Sequence, residues 1–406
     1  MKVVICKGQT MGPISGADET LVTYATHLHR AGVSVSVLLM YPRPEDSYYG
    51  RLTGAGVPVG GIASGAAATA LSAGRGLASK VLAAAPRLGA FVRGSGRRVS
   101  GRMARRYFLQ CREYFAAQSP DVIHVITPDP SAIIFIEAGH SLGIPVLYQE
   151  LGIPFHPPGY EAYYRQFVKA VPLCSGVAAL SPSLAKLCQQ QMAAGKAVSV
   201  LPVMADDVRH APKDSGGRVV YGFAARLETN KGVSELMGAF ALASRRVGGI
   251  GLSVAGAGSK MGEMLVRAAA LGVGDSFRHF GVYDSSEGRT DFFRNIDVLV
   301  LPSHTEGTPN CIAEAMSRGL PVIASDVGGI PDMLGREAGL LVPAGDPVSL
   351  ADAMVLLAGD AELRARLGRA ARERYERLFS PEAVFPQLLQ TYDRLITTAG
   401  AAPPQR

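Results

Sequence analysis

The sequence predicts an α/β protein made of two doubly wound domains that face each other across a cleft. Three observations predict it. Strands and helices alternate through residues 1–204 and again through 218–380. The strands are unbroken Val/Ile/Leu runs, the pattern of parallel sheets covered on both faces. Residues 205–217, ADDVRHAPKDSGG, interrupt the alternation with polar, Pro and Gly residues and read as a linker. A chain of 406 residues suits two domains, and 48% hydrophobic against 18% charged residues suits a large buried core.

In the first domain KVVIC reads as a strand, GADETLVTYATHLHRAG as a helix stopped by Gly32, and VSVSVLLM as the strand that completes a βαβ unit. DVIHVIT, AIIFIEAGHSLG, PVLYQE, VPLCSGVAALS and PSLAKLCQQQMAAG continue the alternation to a closing strand, AVSVLPV. The second domain repeats it from VVYGFAA through GLSVAG, FRHFG, DVLVLPS and PVIAS to GLLVPA, with helical stretches between. A last helix, PEAVFPQLLQTYDRLITTA, has no strand after it, so residues 381–406 are expected to pack back on the first domain and end in a tail. In open α/β sheets ligands bind beyond the carboxyl ends of the strands, which makes the cleft the expected site.

Composition excludes several classes. Cys6, Cys111, Cys174, Cys188 and Cys311 are scattered without a C-x-x-C pair, which argues against a disulfide framework or a zinc site and fits a reducing cytoplasm. His27 and His29 lie two apart on a predicted helix and point to different faces. No apolar run reaches the roughly eighteen residues of a membrane span, and MKVVICKGQT reads as a folded strand, without the long apolar region of a secretory leader.

The charge is uneven. Between Asp46 and Glu113 there is no acidic residue, while the interval carries eleven Lys and Arg, more than the net +7 of the chain. This basic Ala/Gly/Arg-rich segment, 60–112, reads as irregular over about 60–105, with several helix breaks. Its basic amphipathic stretches suit an anionic bilayer, each surface cation contributing roughly 1 kcal/mol; a solvated pair of helices is the plainer reading. With only Phe91, Tyr107 and Phe108 for stacking over 66–112, nucleic acid is not the expected partner.

The stretch SHTEGTPNCIAEAMSRGLPVIAS places Glu306 in a loop after a strand and Glu314 inside a helix that Gly319 stops. Thr308 is the expected N-cap and Pro309 the first helical residue. The amides of Asn310, Cys311 and Ile312 then lack internal partners at the positive end of the helix, a place for a phosphate. Glu314 lies roughly 9 Å along the axis from Thr308. A carboxylate there accepts two vicinal hydroxyls, and hydrogen bonds to ionised groups contribute about 1.5–3 kcal/mol each. Upstream, VVYGFAA ends at Arg226, and Lys231 with Gly232 opens the next helix, so two cations stand where a departing diphosphate needs neutralising. Alone, each pattern is ordinary surface charge; their succession at two strand ends shifts the weight to a site for phosphate and sugar hydroxyls.

GFAARLETNKG, LSVAGAGSK, FRHFGVY, DVLVLPSHTEGTPNCIAEAMSRGLPVIASDVGGIPDML and GLLVPAGDPVSLADAM resemble, in order and spacing, the second domain of the retaining family 4 glycosyltransferases of GT-B fold, the group 1 glycosyl transferases. SGADETLVTYATHLHRAGVSVSVL and PDVIHVITP match the first-domain pattern more loosely. The resemblance implies that Arg226 and Lys231 hold the donor diphosphate and that Glu314 accepts the ribose hydroxyls. It implies that Glu306 contacts and positions the transferred sugar, that Gly307, Thr308, Pro309, Asn310 and Cys311 line the sugar and phosphate, that backbone at Val282 reads the base, and that Gly16 approaches the phosphates. It further implies front-face retention, with the leaving phosphate oxygen taking the acceptor's proton. There is no D-x-D motif, in keeping with a metal-independent reaction that needs no cofactor.

Two departures stand out. Ser15-Gly16 replaces the commoner glycine pair. Where some members carry a functional His two residues after the one matched by His124, this chain has Ile126; His124 itself reads as a packed strand residue, and Glu150 is the substitute at the cleft edge. The expected function is transfer of a sugar, in the hexosyltransferase class, from a nucleoside-diphosphate sugar to a saccharide or lipid-linked acceptor in bacterial polysaccharide or glycolipid synthesis. The expected location is the cytoplasm, with the basic segment at the inner face of the plasma membrane. The alternatives are another GT-B enzyme, such as a nucleotide-sugar epimerase, or a non-catalytic sugar-nucleotide-binding subunit. Co-sedimentation with anionic liposomes at low salt checks the membrane role: binding that falls steeply with salt is expected, and no binding removes it.

Overall fold

A computed structural model of the chain describes residues 1–12, 15–63, 86–126, 129–154, 161–193, 195–209, 217–283 and 285–401, the side chains of 86–100, 162 and 401 excepted. The strands are β1 Lys2–Lys7, β2 Ser34–Leu39, β3 Val59–Gly61, β4 Val122–Val125, β5 Val146–Glu150, β6 Gly176–Ala179, β7 Val198–Val200, β8 Val219–Ala224, β9 Ile250–Ala255, β10 Phe277–Gly281, β11 Val298–Leu301, β12 Val322–Ser325 and β13 Gly339–Val342. They form a seven-stranded sheet in the order β3-β2-β1-β4-β5-β6-β7 and a six-stranded sheet in the order β10-β9-β8-β11-β12-β13. Every pairing is parallel. Central strands carry no polar face because helices cover both sides: Val3, Val4 and Ile5 of β1 and Val298, Leu299, Val300 and Leu301 of β11 are all 0% exposed.

Strand order reverses at the β1/β4 boundary of the first sheet and at the β8/β11 boundary of the second. Such a reversal sends neighbouring connections to opposite faces and leaves a crevice at the strand ends. The loops after β1, β8 and β11 emerge at these two crevices, and all three contribute to one cavity.

The chain returns to the first domain at its end. Helix Pro381–Ala401 buries Val384, Leu388, Tyr392 and Leu395, spaced as one helical stripe, with Tyr24, Leu28 and Leu147. The Tyr392 hydroxyl lies 2.8 Å from Nδ1 of His124 in β4. His124 is 0% exposed, and its Nε2 has no hydrogen-bond partner. Burial pushes its pKa down to about 3.

The structure corrects the reading of the basic segment. Residues 59–61 pair with β2 as an edge strand, and Pro86–Gln118 is one helix, where the sequence suggested irregular chain to about 105. Arg, Ala, Leu and Met are good helix formers, and each internal Gly costs only about 1 kcal/mol against Ala. Residues 64–85 of that segment, and 210–216 of the linker, lie outside the described residues. Three helices have no counterpart in the sequence reading: Ser47–Gly54, Glu161–Ala170 and Ala361–Leu378. The last buries only Leu367, Gly368, Ala371 and Tyr375 among its arginines, too thin an apolar stripe to stand out. Among the described residues no helix is long and apolar enough to cross a membrane.

His124 makes stability pH-dependent. Its folded pKa is depressed, so its contribution is present above the unfolded value of about 6.5 and is lost as pH falls towards 3. Between pH 7 and pH 5 the unfolded chain alone takes up this proton, costing about 2 kcal/mol. Urea unfolding at the two pH values should show a flatter dependence for His124→Asn than for the unaltered chain, whatever the absolute stability of each.

Candidate active site at the interdomain cleft

The site begins with two motifs of the second domain forced together. Gly232 has φ +67, and a Cβ there would lie 2.0 Å from the Pro302 carbonyl oxygen. Only a glycine lets the turn after β8 sit on the chain leaving β11. The His304 amide donates to Asn230 O at 2.9 Å and ties the two loops. Lys231 Nζ consequently lies 2.6 Å from Glu306 Oε1, which also accepts from Ser303 Oγ at 2.7 Å.

The Glu306 loop is held from both sides. Gly328 has φ +58, and a Cβ on it would fall 1.7 Å from Glu306 O. The Gly329 amide donates to Gly307 O at 2.9 Å. On its other side Gly307 meets the first domain, where a side chain would come within 2.9 Å of Leu151 O. The helix that follows is Asn310–Ser317, and its cap is Pro309 at φ −69, ψ 124, with no side-chain cap bond. This corrects the expectation of Thr308 as N-cap and Pro309 as first helical residue: an extended Pro309 starts the helix one residue later. The Thr308 hydroxyl is instead buried without a partner. The Ile312 amide is already engaged by Pro309 O at 3.1 Å, which leaves Asn310 and Cys311 at the cavity wall.

The cavity measures about 260 Å³. Of the residues singled out in the sequence, Gly16, Arg226, Lys231, Glu306, Pro309, Asn310, Cys311 and Glu314 line it. Gly16 arrives from the first domain, its carbonyl accepting from Asn310 Nδ2 at 2.7 Å. Val282, Gly307, Thr308 and Glu150 do not line it; Tyr283 stands there rather than Val282. Glu150 departs furthest from expectation. Its carboxylate turns back to accept from Tyr148 Oη at 2.7 Å and from the Gly152 amide at 3.1 Å. It is 4% exposed, and burial pushes its pKa up. It braces the 151–152 turn beneath Gly307 and is not a group at the cleft edge.

Sequence reasoning missed Glu19, Tyr48 and Arg289, which also line the cavity. They come from three helices, with no local motif to mark them. Arg289 Nη1 lies 2.8 Å from Glu19 Oε1 and 2.9 Å from Glu314 Oε1, while Nη2 lies 2.9 Å from Glu19 Oε2. Arg51 reaches both oxygens of Glu19 at 2.7 and 2.8 Å. The two carboxylates respond differently. Burial raises both, but hydrogen bonds from Arg51 and the charge of Arg289 hold Glu19 at about 2. At Glu314 burial prevails over Arg289, with the Glu19 charge adding to the upward push. One shared guanidinium cannot do for Glu314 what two do for Glu19.

Residues 218–360 match the family model described as glycosyl transferases group 1. The D-inositol 3-phosphate glycosyltransferase of Saccharomonospora viridis is 35% identical over 184 residues, 43% of this chain and 42% of that protein. The phosphatidyl-myo-inositol mannosyltransferase of Mycobacterium leprae is 31% identical over 202 residues, 48% of this chain and 53% of that protein. The matches thus span about half the length of these curated relatives. Among solved structures, Anabaena Alr3699/HepE in complex with UDP superposes with TM-score 0.75 at 18% identity, covering 97% of this chain and 100% of that one. A sucrose-phosphate synthase from Thermosynechococcus elongatus gives TM-score 0.72 at 18% identity over 98% of this chain and 100% of that one. At such identities the likeness concerns the fold, which is GT-B: two Rossmann-like domains with parallel sheets.

Gly328→Ala forces an αL backbone on Ala and a clash with Glu306 O. Urea unfolding should show a loss of about 1–3 kcal/mol or more. Gly274→Ala, at a position with nothing within 4 Å, should be near neutral in the same measurement.

Proposed function

With residues 218–360 belonging to the glycosyl transferases group 1 family, we propose that the chain transfers a sugar from a nucleoside-diphosphate sugar to a saccharide or lipid-linked acceptor, with retention of configuration. One observation carries the reading. The Lys231–Glu306 pair, Arg226, the start of helix Asn310–Ser317 and Glu314 line a single cavity. That wall brings together the kinds of group a diphosphate, a sugar and a ribose require: cations, backbone donors and carboxylate acceptors.

In this reading the donor diphosphate lies against the amides of Asn310 and Cys311, with Lys231 and the exposed Arg226 as its cations. Glu314 accepts the ribose hydroxyls. Gly16 closes over the phosphates from the first domain, and the backbone at Val282 borders the base. Glu306 faces the transferred sugar, while Gly307, Thr308 and Pro309 shape the loop that carries it. In the reaction the bond from the anomeric carbon to the phosphate oxygen breaks and the acceptor oxygen bonds to the same face. The acceptor's proton passes to the departing phosphate oxygen. Lys231 and Arg226 neutralise the charge developing on the diphosphate, so the mechanism is written without a metal. Two of the relatives act, by name, on an inositol phosphate and on phosphatidyl-myo-inositol. They support an anionic or lipid-borne acceptor, and the eleven Lys and Arg between Asp46 and Glu113, with no acid among them, support a role for that stretch at the inner face of the plasma membrane.

Thermal unfolding with a panel of nucleoside diphosphates and their sugars tests the donor site. One nucleotide should stabilise the chain, by about 2.7 kcal/mol at 100 times its Kd, and Lys231→Ala should lose the effect. No shift with any nucleotide overturns the reading. Glu306→Gln is expected to lower kcat tenfold or more with little change in donor affinity, and Glu314→Gln chiefly to weaken nucleotide binding. Equal effects of both variants on both parameters contradict the division of roles.

A further inference from the structure

The donor-site reading leaves one feature unused: the carboxylate assigned to the ribose is tied, through a single guanidinium, to the opposite domain. Arg289 belongs to helix Ser286–Arg294 of the second domain and Glu19 to the first turns of helix Gly16–Arg30 in the first. The fork of Arg289 takes both oxygens of Glu19 and one oxygen, Oε1, of Glu314. We propose that Arg289 is a positioning residue that joins domain closure to the ribose carboxylate, with Glu19 as its catch on the first domain. The proposal rests on the reading of Glu314 as the ribose ligand.

The geometry favours this over an incidental surface pair. Arg289 and Glu19 are 19% and 10% exposed, so water competes weakly for their hydrogen bonds. Glu19 is itself fixed by the two-point contact with Arg51, in helix Ser47–Gly54 of its own domain, before Arg289 reaches it. The catch is therefore preorganised on one side of the cleft. On the other side Arg289 lies over the ring of Tyr283, its guanidinium carbon 5.8 Å from the centroid, which restricts where the fork can point. When the domains part, Arg289 loses both bonds to Glu19 and keeps only Glu314. Arg289 keeps its bond to Oε1 of Glu314 within the second domain, so it orients the ribose carboxylate directly, and Glu19 adds the tie that holds the first domain in place.

The test uses the full chain without nucleotide for closure and with UDP and GDP for binding. Small-angle scattering should give a larger radius of gyration for Glu19→Gln and for Arg289→Gln than for the unaltered chain, and the double variant should open no further than either single one. Glu19→Asp, too short to span both arginines, should open it as well and serves if Glu19→Gln does not fold. By calorimetry, whichever nucleotide binds should lose tenfold or more in affinity with Arg289→Gln, as with Glu314→Gln, and less than about threefold with Glu19→Gln. Unchanged scattering in both Glu19 variants overturns the catch. Unchanged binding in Arg289→Gln, where Glu314→Gln binds weakly, overturns the positioning role. Equal loss of affinity in Glu19→Gln and Arg289→Gln makes Glu19 a plain donor-site residue and also overturns it. If Glu314→Gln binds like the unaltered chain, the donor-site reading itself fails and takes the positioning role with it, while the scattering result still decides the catch.

Discussion

A carboxylate removed from water stays charged only if cations and donors replace its hydration shell, and this requirement organises the cleft. Three acids line the cavity, and each is paired differently: Glu306 with Lys231 and Ser303, Glu19 with Arg51 and Arg289, and Glu314 with a share of Arg289. Removing one partner of such a set leaves an uncompensated charge, which costs far more than the pair contributes. The pairs therefore hold the loops and helices around them in one arrangement. Lys231 cannot drift from Glu306 without exposing the acid, and if Glu19 leaves Arg289 that guanidinium has Glu314 alone while Glu19 keeps only Arg51.

Backbone approach makes that pairing reachable. The αL glycines at 232 and 328 remove the side chains that would otherwise keep the Lys231 turn off Pro302 and the 328–329 turn off Glu306. With those contacts made, the loop after β11 is sandwiched between its own domain and the 151–152 turn of the other, and Glu306 has little freedom left. Glu150 serves the same end from below: buried, bonded to Tyr148 and Gly152, it stiffens the turn on which Gly307 rests. The two sheets supply the frame. Both reverse strand order beside their first strand, so the crevices of both domains open at corresponding places and meet in one cavity.

Much of this was legible before any coordinates. Alternating elements, continuous apolar strands and the ordered motifs around Arg226, Lys231, Glu306 and Glu314 are local properties, and seven of the residues in those motifs, with Gly16 from the family resemblance, do line the cavity. The helix cap was misread because Thr-Pro-Asn fits two starts one residue apart, and only the extended ψ of Pro309 chooses between them. Glu150 was misplaced because a strand-end acid can face the cleft or fold beneath its own turn with the same sequence. Helix Pro86–Gln118 was taken for irregular chain because its glycines read as breaks, although isolated glycines cost a helix only about 1 kcal/mol each.

Glu19, Arg51 and Arg289 were invisible for a deeper reason. Residues 19 and 289 are 270 positions apart, in helices whose local sequences look like ordinary solvated faces. Periodicity, turn chemistry and short motifs act over a few residues, and these the sequence by itself determined: the two domains, their parallel sheets, and the cations and acids of the second domain. Which face of helix Gly16–Arg30 meets which face of helix Ser286–Arg294, and hence which acid shares which arginine, depends on how two independently built sheets dock. Only the tertiary structure decided that, because burial gives a shared charge its energetic weight, and burial arises when both domains are in place.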